Sequence, residues 1–198
     1  MSPTLPHPIR KAPETLLDYE THSLLMYAMT SGIRDHMMIS LALTTGLRNS
    51  ELCNLTIECI RAYETITNIL MLPGTIAKGG FSRDLPLRPD TREDLAGFLE
   101  WKELQQENLS PTAPLFVSKF THKKLSPRDI QRIVGKISSL SIGRTIHPHI
   151  LRHTFATRLL RVSNLRIVQQ ALGHKNIQTT QIYLHPSNDD MSEAFNKL

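Results

Sequence analysis

Residues His147-Pro148-His149-Ile150-Leu151-Arg152-His153 gather three histidines and an arginine around a proline, at the entry to a helical pattern that continues over 154–162. Imidazole and guanidinium groups at this density suit proton transfer, metal binding or anion binding. Each chemistry requires different groups elsewhere in the chain. Proline fits the first turn of a helix, and His149 and Arg152, three residues apart, fall on neighbouring sides of one turn.

On the N-terminal side, Ser126-Pro127 opens another helix with Ile130, Ile133, Val134 and Ile137 inward. Arg128, Arg132 and Lys136 recur at four-residue spacing and line its outward face. On the C-terminal side, Asn164 caps a helix over 165–172, Gly173 stops it, and Asn176 caps a further helix through Tyr183. Residues 187–198 read as an amphipathic tail with Met191, Ala194, Phe195 and Leu198 on one side.

Earlier in the chain, helical spacing predicts helices over 14–30 and 35–45, the second capped by Asp35 and ended by Gly46. Asn49 or Ser50 then caps a short helix to 55, which holds Arg48 at the joint, beside backbone N–H groups that together with it would bind an anion. The β-branched run 65–72 and the stretch 82–87 predict a β-hairpin, with Lys78-Gly79-Gly80 in its turn. A helix from Asp90 or Thr91 to about 106 presents Leu95, Phe98, Leu99 and Leu104, flanked by Trp101; 108–114 is a polar loop, 115–117 a brief apolar strand end, and the loop after it carries Lys119, Lys123 and Lys124. Residues 1–13, with four prolines, read as an extended lead-in and not a separate domain. The fold class is therefore α+β, mainly α, with a small antiparallel hairpin or sheet, in one domain.

The net charge is +5, but its distribution is more informative. Between 119 and 175 there are twelve Lys and Arg against one acid, Asp129, while the rest of the chain has eleven against seventeen. A basic excess of this kind predicts a polyanion partner, because phosphate neutralisation dominates nucleic-acid affinity. The chain has no long apolar run and its prolines interrupt any leader pattern, so no membrane partner and an intracellular location are expected. Cys53 and Cys59 are expected to be reduced, buried thiols.

A metal site on His147, His149 and His153 would lack a nearby Asp, Glu or Cys, and Arg144 and Arg152 would repel the cation. Arg48, Lys78, His149, Arg152, His174 and Tyr183, by contrast, all suit one task. Attack on a phosphodiester builds negative charge on oxygens that two guanidiniums can grip, a lysine or histidine can protonate the leaving oxygen, and a tyrosine activated by a base or by cations can attack.

Four motifs carry a resemblance to a known family: Thr45-Gly46-Leu47-Arg48-Asn49-Ser50-Glu51-Leu52; Lys78-Gly79 followed by Arg83 and Pro86-Leu87; His149-Ile150-Leu151-Arg152-His153-Thr154-Phe155-Ala156-Thr157; and Leu172-Gly173-His174, with Tyr183 nine residues on. In this order they resemble the tyrosine recombinase, or phage integrase, family. The resemblance implies a catalytic domain over 14–186 in which Arg48 and Arg152 hold the scissile phosphate and Tyr183 forms a 3′-phosphotyrosyl intermediate. It also implies that Lys78 protonates the leaving oxygen, His149 exchanges a proton with Tyr183, His174 hydrogen-bonds the phosphate and Glu51 orients the first motif. His147 and His153 are left as supporting or core residues.

The bond energy is kept in the protein–DNA ester, so neither ATP nor a metal is needed. The implied partners are double-stranded DNA, contacted by Lys119, Lys123, Lys124, Arg128, Arg132, Lys136 and Arg144, and further copies of the chain, in a tetramer on synapsed sites linked through the tail helix over 187–198. The implied setting is the nucleoid of a prokaryote, or a phage or mobile element. Most family members carry a core-binding domain before the catalytic one; with only a short lead-in ahead of residue 14, the sequence resembles either a minimal recombinase, like the short invertases of fimbrial switches, or a catalytic fragment of a longer protein. A type IB topoisomerase, or a DNA-binding regulator that has lost catalysis, are the alternatives.

Overall fold

The most buried helix sets the architecture. Helix α1 (Asp18–Ser31) is followed, after the single residue Gly32, by α2 (Ile33–Thr45), along which Met37, Met38, Ile39, Leu41, Ala42 and Leu43 are all buried. A helix apolar on every side must be covered on every side, and α1, α4 and α6 pack around it. The computed structural model describes residues 14–174 and 176–184.

The chain then forms α3 (Asn49–Asn54), two short antiparallel hairpins, and α4 (Pro89–Leu104). The expected 65–72 strand is divided: β1 (Arg61–Ala62) pairs with β2 (Thr65–Ile66), and β3 (Ile69–Leu72) pairs with β4 (Arg83–Pro86). In the second hairpin Leu72 stands opposite Arg83, and burial alternates along β3, with Leu70 and Leu72 inward and Ile69 and Met71 outward, as a pleated strand requires. Helices α5 (Pro127–Ile142), α6 (Pro148–Val162) and α7 (Leu165–Leu172) follow.

Several local expectations are corrected. Leu104 is 80% exposed, and Lys102 takes its place in the core at 0%, with its ammonium on Glu107 and over the Phe98 ring. At 100° per residue, 102 returns to the face of 95, 98 and 99, whereas 104 points away from it. Asp35 does not cap α2; it lies in the first turn and binds the buried Arg34. The chain after Asn176 forms two single 3-10 turns, Ile177–Thr179 and Gln181–Tyr183, in place of one helix. Residues 115–117 form no ladder strand, yet Leu115, Phe116 and Val117 are buried as the apolar run anticipated.

The lead-in over 1–13 and the tail helix over 187–198 lie outside the described residues. Cys53 and Cys59 are free and buried. No helix among the described residues is long and apolar enough to cross a membrane.

Candidate active site

Glu51 is the hub of the first half of the site. It is 0% exposed, yet its carboxylate accepts two hydrogen bonds from the Arg83 guanidinium, at 3.0 and 2.7 Å. It also accepts from Arg48 Nη1 at 3.0 Å and from the backbone N–H groups of Arg48 and Lys78. The residue at the cap position of α3 is thus Arg48, and the acid of the first turn closes back on its N–H. The free backbone donors expected beside Arg48 are therefore partly occupied by Glu51. Burial pushes the Glu51 carboxyl up, but Arg83, the two N–H groups and the surrounding charge outweigh it and hold the group at about 2.

Three elements, α3, the loop carrying Lys78 and strand β4, therefore meet on one carboxylate. Glu51→Gln would leave buried guanidiniums without their counter-charge. Breaking a buried pair from one side costs about 3–5 kcal/mol, and urea unfolding is the measurement. Because the folded pKa lies below the usual value of 4.5, the Glu51 contribution is fully present above that pH and is lost as pH falls towards about 2. The variant should therefore show a flatter loss of stability with acid; equal acid sensitivity in both proteins would contradict this account.

The second half of the site is built around Arg152, 5% exposed on α6. Its Nη1 donates to the Gly46 carbonyl at 2.5 Å, and its Nη2 to the Leu172 carbonyl at 2.7 Å and to His174 Nε2 at 3.2 Å. Three of five N–H groups are used in this way, leaving two for a ligand. A guanidinium only donates, so His174 Nε2 must accept; its Nδ1 then carries the proton, which it donates to Thr180 Oγ1 at 3.0 Å. Burial, followed by Arg152, Arg48 and Arg83, lowers His174 to about 4, which keeps it neutral in this role. Burial and the Arg48 charge also lower Arg152, to about 9, so it stays charged at neutral pH.

Two glycines permit this junction. Gly46 (φ +64°) and Gly173 (φ +62°) both adopt the left-handed conformation that ends a helix. A Cβ at Gly46 would lie 2.2 Å from the Phe155 ring, and one at Gly173 would lie 2.9 Å from Arg83 Nη1. The same Gly173 carbonyl faces Arg48 Nη2 at 3.5 Å, so the turn after α7 bridges the two arginines.

Tyr183 is 7% exposed, with its ring in a small apolar cluster of Ala156, Val168 and Leu172 that is separate from the main core. Burial raises its phenol, while Arg152 and Arg48 pull in the opposite direction. Its hydroxyl lies 2.8 Å from His153 Nδ1, a residue given only a supporting role on sequence grounds. The exposed ring of His149 stands one step further out, 6.4 Å from that of His153. Burial, then Arg152, lowers His149. Lys78 lies in the exposed β3–β4 loop and lines a cleft of about 460 Å³ with Arg83, Gly173 and His174.

All six proposed catalytic residues thus fall in one neighbourhood. Sequence reasoning gave no site role to Arg83 or Thr180 and only a supporting or core one to His153, although Arg83 belongs to the second motif and His153 lies on α6 one turn after His149. Among the described residues no group of three or more His, Cys, Asp and Glu is placed to share a metal.

The residues expected on a DNA face divide into two sets. Lys123, Arg128 and Lys136 are exposed, as are Lys119 on the Ser31 carbonyl, Lys124 on Asn54 and Arg132 beside Asp129. Arg144 has a different partner: its guanidinium is held by Glu20 and Glu14 and faces the Thr15 carbonyl, tying the start of the described chain to the α5–α6 loop.

The model of the phage integrase family matches residues 14–189. A tyrosine recombinase of Pseudothermotoga lettingae is 39% identical over 191 residues, covering 96% of this chain and 62% of that protein; this chain thus spans about three-fifths of its length. The crystal structure of XerA recombinase matches with a TM-score of 0.77 at 29% identity, covering 96% of this chain and 66% of that one. XerH recombinase bound to palindromic difH substrate has a TM-score of 0.75 at 24% identity over 94% of this chain and 53% of that one, a likeness of fold. With its family model matched over nearly the whole length and its motif residues gathered on one site, the chain belongs to the phage integrase family of tyrosine recombinases.

Proposed function

We propose that this domain cleaves and rejoins double-stranded DNA at specific sites through a covalent bond between Tyr183 and a 3′-phosphate. One observation carries the reading: the guanidiniums of Arg48 and Arg152, from separate segments, meet at adjacent carbonyls of the turn after α7, Gly173 and Leu172, and both favour the ionised Tyr183 hydroxyl. Guanidiniums fixed in advance by Glu51, Gly46 and Leu172 stabilise the charge that grows on the non-bridging oxygens, with no reorganisation at the moment of reaction. Lys78, on its exposed loop, protonates the departing 5′-oxygen. His174 orients Arg152. The ester retains the energy of the broken bond, so rejoining requires neither ATP nor a metal.

The exposed cations of α5 and the loop before it, Lys119, Lys123, Lys124, Arg128, Arg132 and Lys136, contact the DNA backbone, and exchange between two duplexes brings protomers together, as a tetramer. This places the protein at the nucleoid. The XerH structure on its difH substrate supports a DNA partner for this fold.

The test is covalent trapping of the full chain on a library of nicked duplexes, in which the 5′-hydroxyl fragment diffuses away. A protein–DNA adduct with a free 5′-hydroxyl, formed in EDTA without ATP, is the expected result. No adduct on any duplex would leave only a DNA-binding role, and relaxation of supercoils at arbitrary sites without exchange would instead mark a topoisomerase.

A further inference from the structure

The residue that touches the tyrosine oxygen is His153, and the site described above leaves it without a task. Its Nδ1 lies 2.8 Å from Tyr183 Oη, and the two rings sit 5.6 Å apart at a tilt of 56°. His153 is half-buried on α6, directly after Arg152, so the helix that holds the phosphate-binding guanidinium also fixes this imidazole. His149 is one helical turn away on the same helix, and no hydrogen bond joins it to Tyr183.

We infer that His153 is a catalytic residue of this chain: the base that accepts the phenol proton of Tyr183 as the tyrosine attacks phosphorus. The inference rests on the reading of Tyr183 as nucleophile. As the Oη–P bond forms, the phenol proton passes to Nδ1. As the P–O5′ bond breaks, the 5′-oxygen takes a proton from Lys78. On rejoining, the 5′-hydroxyl returns its proton to Lys78 and imidazolium His153 returns the other to the leaving phenolate. The step needs no co-reactant, and the charge of the protein is unchanged across cleavage.

The surroundings suit a base. His149 and Arg152 from α6, His174 from the turn after α7, and Tyr183 itself are the ionisable groups within reach of the ring. Burial, with His149 and Arg152, lowers the pKa of His153, so the ring is neutral and able to accept at pH 7. The phenol lies in an apolar cluster with its hydroxyl turned to this nitrogen, so the proton has a fixed acceptor beside a mostly buried tyrosine.

The experiment compares single-turnover cleavage by the full-length wild type, His153→Ala and His153→Asn on the trapping duplex. The asparagine oxygen occupies roughly the position of Nδ1, keeping the hydrogen bond without the basicity, and this variant carries the test if the alanine variant does not fold. Both variants are expected to lose about 100-fold or more in rate with DNA binding retained. Added imidazole should restore the alanine variant, and the acid limb of the wild-type pH–rate profile should change in both. A substrate with sulfur at the bridging 5′ position needs no proton on leaving; it should rescue Lys78→Ala but not His153→Ala.

A wild-type rate in His153→Asn would reduce His153 to a positioning residue and overturn the inference. So would faster cleavage by His153→Ala, which would make the bond a resting restraint, or rescue of His153→Ala by the sulfur substrate. If the wild type forms no adduct, or Tyr183→Phe forms one, it is the nucleophile assignment that fails.

Discussion

Tyr183→Phe is expected to bind DNA as the wild type does and to form no covalent adduct. The substitution removes one oxygen and leaves the ring among Ala156, Val168 and Leu172. The lost hydrogen bond to His153 is the only polar contact of the side chain among the described residues, and one such bond contributes about 1 kcal/mol net, too little to unfold the domain. Binding should persist because the basic face and the arginine pair are untouched. Wild type and variant should therefore shift DNA equally in a native gel and differ completely on a denaturing one. An adduct in the phenylalanine variant would show that another residue attacks.

Arg152→Ala is expected to lower the cleavage rate on the order of 100- to 1000-fold, the effect of removing one donor to a developing oxyanion, and to weaken DNA binding far less. Binding draws on many exposed cations spread over the surface, whereas the charge added in the transition state is local. The variant also leaves the Gly46 and Leu172 carbonyls and His174 Nε2 without their donor, a stability cost of about 1–3 kcal/mol for each group left unsatisfied. Arg152→Lys, which keeps the charge but not the planar fork, should recover part of the stability and little of the rate. Single-turnover cleavage beside equilibrium binding separates the two effects, and a parallel fall in both would count against a role confined to the transition state.

Local chemistry made much of the molecule legible in advance. The proline before His149, the Ser126 and Asn164 caps and the glycines ending α2 and α7 act within one turn, and the structure holds them as written. The expected exposed face of α5, with Arg128, Arg132 and Lys136, follows from helical period alone. Sequence and structure part where a charged side chain finds a buried partner. Lys102, on the inward face of its helix, is buried because Glu107 and Phe98, four to five residues away, receive it, whereas Arg144 is drawn to Glu14 and Glu20, more than a hundred residues earlier in the chain.

The same division runs through the site. Arg48, Lys78, His149, Arg152, His174 and Tyr183 can be picked out in sequence because each sits in a short motif whose residue types suit one reaction. Which imidazole meets the tyrosine cannot be read there: His149 and His153 are one turn apart on a single helix, and only the placement of the Tyr183 turn against α6 decides between them. Nor does spacing reveal that Glu51 gathers Arg48, Arg83 and the Lys78 backbone, since those groups come from three elements joined only by folding. Sequence by itself determined the candidate residues and most of the helices around them, because capping, period and residue chemistry are local. Tertiary structure decided which reagent touches which, because a hydrogen bond of about 3 Å depends on the packing of every element between its ends.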